Sequence, residues 1–520
     1  MFGSQRIIKV IICTIALVSI ISLASCETKS VKKVEKPNII LILADDLGYG
    51  ELGCYGQKLI ETPNIDKLAE KGLRFTQHYS GAPVCAPARC VLLTGLHSGH
   101  AYVRGNDEWG SRGDVWNYKS MIADSTLEGQ RPLPDSTMTI AKLLQQAGYV
   151  TGMIGKWGLG APHTNSIPNK MGFDYFLGYN CQRQAHTYFP VHLYENENRL
   201  HLNNDTVAPN TKLPKEADPY NPDSYAKFYL NDYAPDIMFD GMMNFIDENK
   251  DMPFFMYWAT PIPHVPIQAP QKWVDHYIKK FGDEEPYLGD RGYFPHPNPN
   301  AGYAAMISYL DERVGQLVAK LKEDGIYDNT LIIFTSDNGP TYAGGVDANF
   351  FNSAGPFNND YGWTKGFVHE GGIRVPMIAS WPSKIITGRV SDHISTFTDI
   401  LPTLCNITSA EVTHNVDGIS FLPTLLGNMN QPNHEYLYWE FPEYNGQQAV
   451  RMGNWKAIRK DIQKGNLEIE LYNLEEDKKE ENNIADQYPE IVEKINQIMI
   501  NSHTPSQLNR FKMRALGDSI

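Results

Sequence analysis

Short unbroken apolar runs recur along the chain: Ile39 to Leu43, Val150 to Ile154, Phe254 to Trp258, Leu331 to Phe334 and Val375 to Ala379. None alternates apolar with polar positions, so each is expected to be a strand covered on both faces. Between them the spacing changes to that of a helix. Ala304 to Lys322 sets Ile307, Leu310, Val314, Leu317 and Leu321 on one face, and Thr137 to Gln146 repeats the pattern after a cap-like Ser136. Such strands, interleaved with amphipathic helices, predict an α/β fold with a large, mostly parallel mixed sheet between helices. From about residue 430 the texture shifts. EYLYWEF, QQAVRM, NWKAIRK and LEIELYNL read as short strands joined by turns, followed by a helix over Pro489 to Ile500. A small C-terminal antiparallel sheet with one helix is expected, dividing the chain into 37–429 and 430–520. The long loops at 180–235, 282–302 and 341–364 have the length that usually marks function.

The N-terminus adds a location. Arg6 and Lys9 precede an apolar stretch from Val10 to Leu23 that ends in Leu23-Ala24-Ser25-Cys26. This is the pattern of a secretory signal over residues 1–25, too short for a membrane span with a stop-transfer flank. The LASC ending resembles the bacterial lipobox, which implies lipidation at Cys26, a polar tether over 26–36, and a periplasmic or cell-surface lipoprotein held to the membrane by that anchor. The formal charge of −14 becomes more negative by two once Arg6 and Lys9 are removed. Nucleic acid is therefore not an expected partner, and an anionic substrate has to be met by local cations or a metal. Five cysteines remain beyond Cys26, an odd number without repeated C-x-x-C spacing, so neither a disulfide framework nor a zinc site is indicated.

In open parallel sheets, ligands sit beyond the carboxyl ends of the strands. Here those ends deliver Asp45-Asp46, Ser336-Asp337-Asn338-Gly339, Lys156 and His264. Three carboxylates and an amide oxygen from two strand ends form an all-oxygen set suited to Ca²⁺ or Mg²⁺. Either motif alone favours a plain turn; both at the ends of buried strands in one chain favour a metal.

The stretch Cys85-Ala86-Pro87-Ala88-Arg89, with Thr94-Gly95 after it, resembles the C-x-P-x-R…T-G maturation signature of the formylglycine-dependent sulfatases of the alkaline phosphatase superfamily. PNIILILADDLGYG, TPNIDKLAEKGLRF, GKWGLG, IPHVPIQAP, TSDNG, KGFVHEGGIRVPMIASWP and LYNLEED resemble family segments in the family's order, over about residues 37–476. The resemblance implies an alkaline phosphatase-like sandwich and the oxidation of Cys85 to formylglycine by a maturase. The aldehyde hydrate then offers two hydroxyls, one to attack sulfur and expel the alcohol, the other to lose its proton and eject sulfate. It further implies that Asp45, Asp46, Asp337, Asn338 and residue 85 hold one divalent cation, most often calcium. By the same match Arg89 holds the formylglycine oxygens, Lys156 and Lys365 bind sulfate oxygens, and His264 protonates the leaving group.

One position departs from the family pattern. The segment usually reads G-K-W-H-L-G, and this chain has Gly158 where the histidine serves as base. His163, His186 in CQRQAH, or a water are the open replacements, and Gln182 in the same stretch is a candidate contact for sulfate or sugar. The expected activity is hydrolysis of sulfate monoesters on a carbohydrate, with the aromatic and amide-rich loop 349–363 suited either to sugar faces or equally to packing at the rim. A phosphate-ester or phosphonate hydrolase of the same superfamily, and an inactive glycan-binding lipoprotein, are the alternatives. Cys90, one step beyond Arg89, is expected to be a small buried filler.

Overall fold

The computed structural model describes residues 36–519; the signal, the Cys26 anchor and the tether up to residue 35 lie outside the described residues. Strands β1 (Asn38–Ala44), β2 (Leu73–Tyr79), β3 (Val150–Lys156), β4 (Tyr175–Tyr179), β5 (His192–Glu195), β6 (Asn198–His201), β7 (Phe254–Ala259), β8 (Thr330–Ser336), β9 (Arg374–Ser380) and β10 (Arg389–Ser391) form one sheet. Their order is β10-β2-β9-β8-β1-β7-β3-β4-β5-β6, with β11 (Ser395–Thr396) beside β2. The middle, β8-β1-β7-β3-β4, is parallel. β9 runs antiparallel to both β8 and β2, and the β5–β6 hairpin extends the far edge antiparallel to β4.

β1 shows why the central strands lack alternation. Ile40, Ile42 and Ala44 pack into one hydrophobic core with helices α4 (Ala234–Asn249) and α5 (Pro299–Glu323). Ile39, Leu41 and Leu43 pack into a second core with α2 (Cys85–Thr94) and α3 (Ile140–Gln146). Each side chain so buried contributes about 1.5–3 kcal/mol, and the sheet is held between two helical layers. On the α5 side lies α1 (Pro63–Lys71), whose first backbone N–H groups, at Asn64 and Ile65, donate to the Asp311 carboxylate of α5 at 2.7–3.1 Å. A carboxylate 246 residues away thus does the work of an N-cap.

Two helix starts differ from the sequence expectation. α3 is capped by Thr139, whose hydroxyl accepts from Lys142 N, and not by Ser136. α5 begins at Pro299, ahead of the periodic stretch, because Glu284 accepts from the N–H groups of Asn300 and Ala301 at 2.7 and 2.8 Å. That remote cap shortens the loop expected at 282–302, and the β5–β6 hairpin lies within the one expected at 180–235.

β12 (Leu437–Phe441), β13 (Gln447–Met452), β14 (Trp455–Arg459) and β15 (Glu470–Asn473) form the second, antiparallel sheet. One face, with Trp439, Ala449 and Ile458, packs on Tyr79, Val84, Val368 and Ile373 of the main body. The other, with Tyr438, Val450 and Ala457, packs on Ile495, Ile498 and Met499 of α6 (Pro489–Ser502). Pro37 onward forms one compact unit.

Candidate active site

Neighbouring strand ends deliver the candidate residues to one place. β1 runs into Asp45-Asp46, β8 into Asp337-Asn338, β3 ends at Lys156, and the turn after β7 carries His264; all are buried. α2 starts at Cys85 against them, and Cys85 Sγ donates to Asp45 Oδ1 at 3.3 Å. Gly155 makes the β3 end possible. Its φ is +112°, and a Cβ there would lie 2.0 Å from the Ala259 carbonyl oxygen, so only glycine lets β3 press against β7 where it presents Lys156.

Arg89, one helical turn after Cys85, ties the strand ends together. Its Nε and Nη2 donate to Asp337 Oδ2 at 3.2 and 2.9 Å, Nη2 also pairs with Asp45 Oδ2 at 3.2 Å, and Nη1 donates to the Lys156 carbonyl at 2.8 Å. Asp46 has a left-handed backbone, φ 67°, uncommon for a residue other than glycine. Three contacts hold it there: its N–H donates to Asp337 Oδ1 at 3.1 Å, and its carboxylate accepts from Asn338 Nδ2 at 2.8 Å and Lys365 Nζ at 2.7 Å. Lys156 Nζ sits 2.6 Å from Asp45 Oδ2.

Three acids therefore face three cations away from water, and their titration is shared. Burial pushes the Asp45 carboxyl up, yet Lys156, His264 and Arg89 together hold it well below its ordinary range. Asp46 stays raised, mainly through burial, despite Lys365. Burial and then Asp45 push Asp337 up to about 7. Burial, again with Asp45, raises the Cys85 thiol above its ordinary range. His264 is pushed well below its usual value by burial and then by Lys365. Its Nδ1 donates to the Val265 carbonyl at 2.6 Å, so Nε2, 3.7 Å from Asp46 Oδ2, is the atom turned to the cluster.

The donor set fits a hard divalent cation. Ligating atoms of Asp45, Asp46, Cys85 and His264 lie within 4.8 Å of one another. Asn338 Oδ1 is buried without a partner, while its Nδ2 is bonded to Asp46 and to the Gly339 carbonyl. An orphaned oxygen beside two carboxylates is what such a cation completes. Asp337 lies beside this set: its Oδ1 accepts from Asp46 N and its Oδ2 from Arg89, just as both oxygens of Asp45 and of Asp46 accept from donors of the cluster. A second group, His97, His100 and Asp417, follows the far end of α2. There Gly99 N donates to His97 Nδ1, leaving the proton on Nε2, so in its neutral form that ring has no free lone pair to offer a metal.

The Gly158 position has a structural answer. Gly158 has φ +71°, and a Cβ built there would meet Gln182 Nε2 at 2.7 Å and Cγ at 2.8 Å. The Gln182 side chain occupies the space a side chain at 158 would need, and its Nε2 is buried without a partner. His186 is brought to the same cleft, stacked on His264 with ring centroids 5.3 Å apart and edge-on to Tyr293. Burial and then His264 push its pKa well below the usual value. His163 is not brought there: it is exposed and bonded to Ser125. Cys85 and Cys90 are both free thiols, and Cys90 packs into the core on the α2 side.

Above Cys85 opens a cleft of about 740 Å³ whose floor includes Lys156, Lys365 and His264, within the usual size of a small-ligand site. Its walls hold residues that no local pattern singled out: Trp116 and Glu108 from one loop region, Tyr293 from another, and Glu443 and Tyr444 from the β12–β13 turn. Of the two readings of loop 349–363, packing is the one its surroundings support, since none of its residues is among those lining this cleft. Phe350, Phe351 and Asn352 border a separate hollow with Tyr55, and Tyr361 packs on Tyr342 and Phe367.

A family model described as "Sulfatase" matches residues 37–410, and one described as "N-sulphoglucosamine sulphohydrolase, C-terminal" matches 359–504. The chain is 33% identical over 432 residues to human arylsulfatase A, covering 81% of this chain and 74% of that protein. It is 29% identical over 437 residues to the N-acetylgalactosamine-6-sulfatase of Canis lupus familiaris, covering 81% and 72%. Among solved structures it is similar to Ps i-CgsB in complex with k-i-k-neocarrahexaose, with a TM-score of 0.69 and 28% identity over 90% of this chain and 92% of that one. The matched span begins just before β1 and takes in every strand-end residue described above, and the chain belongs to the sulfatase family of sulfuric ester hydrolases.

Proposed function

We propose that the protein removes sulfate from a carbohydrate, using formylglycine made from Cys85 and one divalent cation. The observation that carries the reading is the meeting of Cys85, as the first residue of α2, with the strand-end carboxylates and two lysines at the floor of an open cleft. The formylglycine hydrate supplies a hydroxyl to attack sulfur and a second whose proton loss ejects sulfate.

Asp45, Asp46, Asp337, residue 85 and the orphaned Asn338 Oδ1 would hold the cation, Ca²⁺ or Mg²⁺, which would supply charge stabilisation at the sulfate oxygens. Arg89 keeps the β1, β3 and β8 ends in register beneath residue 85. Lys156 and Lys365 bring positive charge to the cleft floor that the acidic chain otherwise lacks. His264, with Nε2 turned to the cluster, is the group positioned to hand a proton to the leaving oxygen once it is protonated. No imidazole stands at position 158; the Gln182 amide fills that space as a hydrogen-bond donor, leaving His186 and water as proton acceptors. The carbohydrate reading draws on the cleft's aromatic and amide walls and on relatives named for sulfated sugars. An export signal with a lipid anchor at Cys26 fits a substrate met outside the cytoplasm.

The test is sulfate release from defined sulfated sugars by protein shown by mass spectrometry to carry formylglycine at residue 85, with aryl sulfate and aryl phosphate compared alongside. Sulfate release that needs the modification is expected. A preference for the phosphate ester would replace this reading by a phosphatase or phosphonate hydrolase.

A further inference from the structure

After α6 the chain folds back as a strap, residues 503–518, over the segment 104–107 that leads into the cleft wall. Both ends of the strap are pinned. At its start, His503 Nδ1 lies 2.7 Å from Glu440 Oε2, and Arg104 Nη1 donates to the Thr504 carbonyl at 2.7 Å. At its end, Asp518 lies 3.0 Å from His503 Nε2 and accepts from Met513 N at 2.8 Å. Phe511 and Met513 between them are buried. Gly105 shows how closely the strap is applied: a Cβ there would meet the Glu443 carboxyl carbon at 2.8 Å and the Phe511 ring at 2.9 Å.

The strap delivers Arg510. Its Nη1 donates to Asp107 Oδ1 at 2.6 Å, and its Nη2 to the Asn106 carbonyl at 2.9 Å and to Glu443 Oε1 at 3.2 Å. Arg510 does not itself line the cleft, but Asn106 and Glu443 do. These two, 337 residues apart in the chain, are also joined directly, Asn106 N donating to Glu443 Oε2 at 3.1 Å. On its other side Asn106 Oδ1 accepts from Ala86 N, next to residue 85, at 3.4 Å. Asn106 Nδ2 has no partner among the described residues, and each Glu443 oxygen accepts one hydrogen bond where it can take two. The pair thus offers a donor and an acceptor to sugar hydroxyls beside the reacting ester. An isolated surface ion pair would fix little, but one planar guanidinium bonded to two carboxylates and a carbonyl holds three groups at once.

We propose that Arg510 is a positioning residue: from the C-terminal strap it holds Asn106 and Glu443 as the part of the cleft wall that binds the hydroxyls of the sugar losing its sulfate. This rests on the sulfatase reading. It bears on binding of the sugar and leaves the sulfate chemistry to the strand-end groups. The experiment compares Arg510→Ala with the wild type, both as the full chain carrying formylglycine at residue 85. The substrates are an aryl sulfate and a panel of singly sulfated hexosides and short sulfated oligosaccharides. On the sugars, KM is expected to rise about tenfold while kcat changes by less than about twofold, the mark of lost uniform binding. On the aryl sulfate, which has no hydroxyl for this wall to bind, both constants are expected to stay within about twofold of wild type. KM does not depend on how much of a variant folds, and Arg510→Gln carries the same expectation should Arg510→Ala fail to fold at all. In a Glu443→Gln background the further loss from Arg510→Ala is expected to shrink, because both act through one wall. An equal loss on the aryl sulfate, a fall in kcat with KM unmoved, additive losses in the double variant, no change on the sugars, or activity confined to the aryl sulfate would overturn the inference while leaving the sulfatase reading intact. Absence of sulfate release from every substrate, already in the wild type, sinks that reading and the inference with it.

Discussion

Two of the clusters of buried charge in this molecule make a useful pair, because only one of them opens on a cleft. One is the strand-end cluster of Asp45, Asp46, Asp337, Arg89, Lys156 and Lys365. The other joins the main body to the C-terminal sheet. There Glu370 accepts from Lys456 at 2.9 Å, from Arg374 at 2.9 Å and from Tyr79 at 2.7 Å, while Glu480 accepts from Glu370 N at 2.7 Å and pairs with Lys456 at 3.3 Å. Burial would raise the Glu370 carboxyl, but Lys456 and Arg374 hold it well below its ordinary range. Its charges neutralise one another where Lys456 is fully buried. Unpartnered buried atoms lie beside both, Asn338 Oδ1 and Gln182 Nε2 at the first and the His369 ring nitrogens at the second, but the strand-end cluster opens on a cleft through Cys85, Lys156, Lys365 and His264. Perturbed acids occur in both, so a shifted pKa does not tell a site from a strut. Reactive side chains reaching a cleft do.

The sharpest way to break this contrast is to cut each cluster once. Cys85→Ala should lower sulfate release by on the order of 10⁴-fold or more, as loss of a nucleophile does, with an unfolding curve close to wild type. Sulfate measured by ion chromatography beside thermal denaturation checks both halves. Lys456→Met should do the reverse. It strands Glu370 and Glu480 without their shared cation, at a cost of about 3–5 kcal/mol in denaturant unfolding, while the folded fraction keeps its turnover. Lost turnover without lost stability would make the second cluster part of the site.

The sequence carried the floor of the site and little of its walls. β1, β3, β7, β8 and β9 were legible because strands buried on both faces are written as apolar runs, and the residues just past them could be read off directly. The family signature then singled out Cys85, Arg89 and Lys365, which local patterning alone leaves ordinary. The walls were not legible, since Glu108, Trp116, Tyr293 and Tyr444 come from irregular segments that only tertiary packing assembles. For the same reason loop 349–363, with a composition suited to sugar or to packing, stayed between two readings: composition does not say which hollow a loop borders. The start of α5 escaped because its cap is Glu284, outside any local capping pattern.

A cation tests the unspent oxygen directly. Saturating Ca²⁺ or Mg²⁺, at a hundred times its dissociation constant, should stabilise the wild type by about 2.7 kcal/mol, and a chelator should remove that gain. Asn338→Ala should shrink the metal-dependent shift, because it deletes the orphaned oxygen while leaving Asp45 and Asp46 in place. A wild-type curve indifferent to both ions would refute the fit of the donor set to a divalent cation.

The smallest expected effect concerns the position where the chain departs from its family. Gln182→Ala removes the amide that fills the space beside Gly158. If its free N–H₂ meets a reacting or substrate oxygen, kcat/KM should fall about tenfold, near 1.4 kcal/mol, with little change in unfolding. Gly158→Ala should cost stability in two ways: a Cβ in the left-handed region, worth about 1–2 kcal/mol, and a collision with Gln182. Only the second can be relieved. In the double variant the stability loss should therefore be less than the sum of the single losses, because the space being contested has been vacated. Strictly additive losses would mean that Gln182 and position 158 do not share that volume.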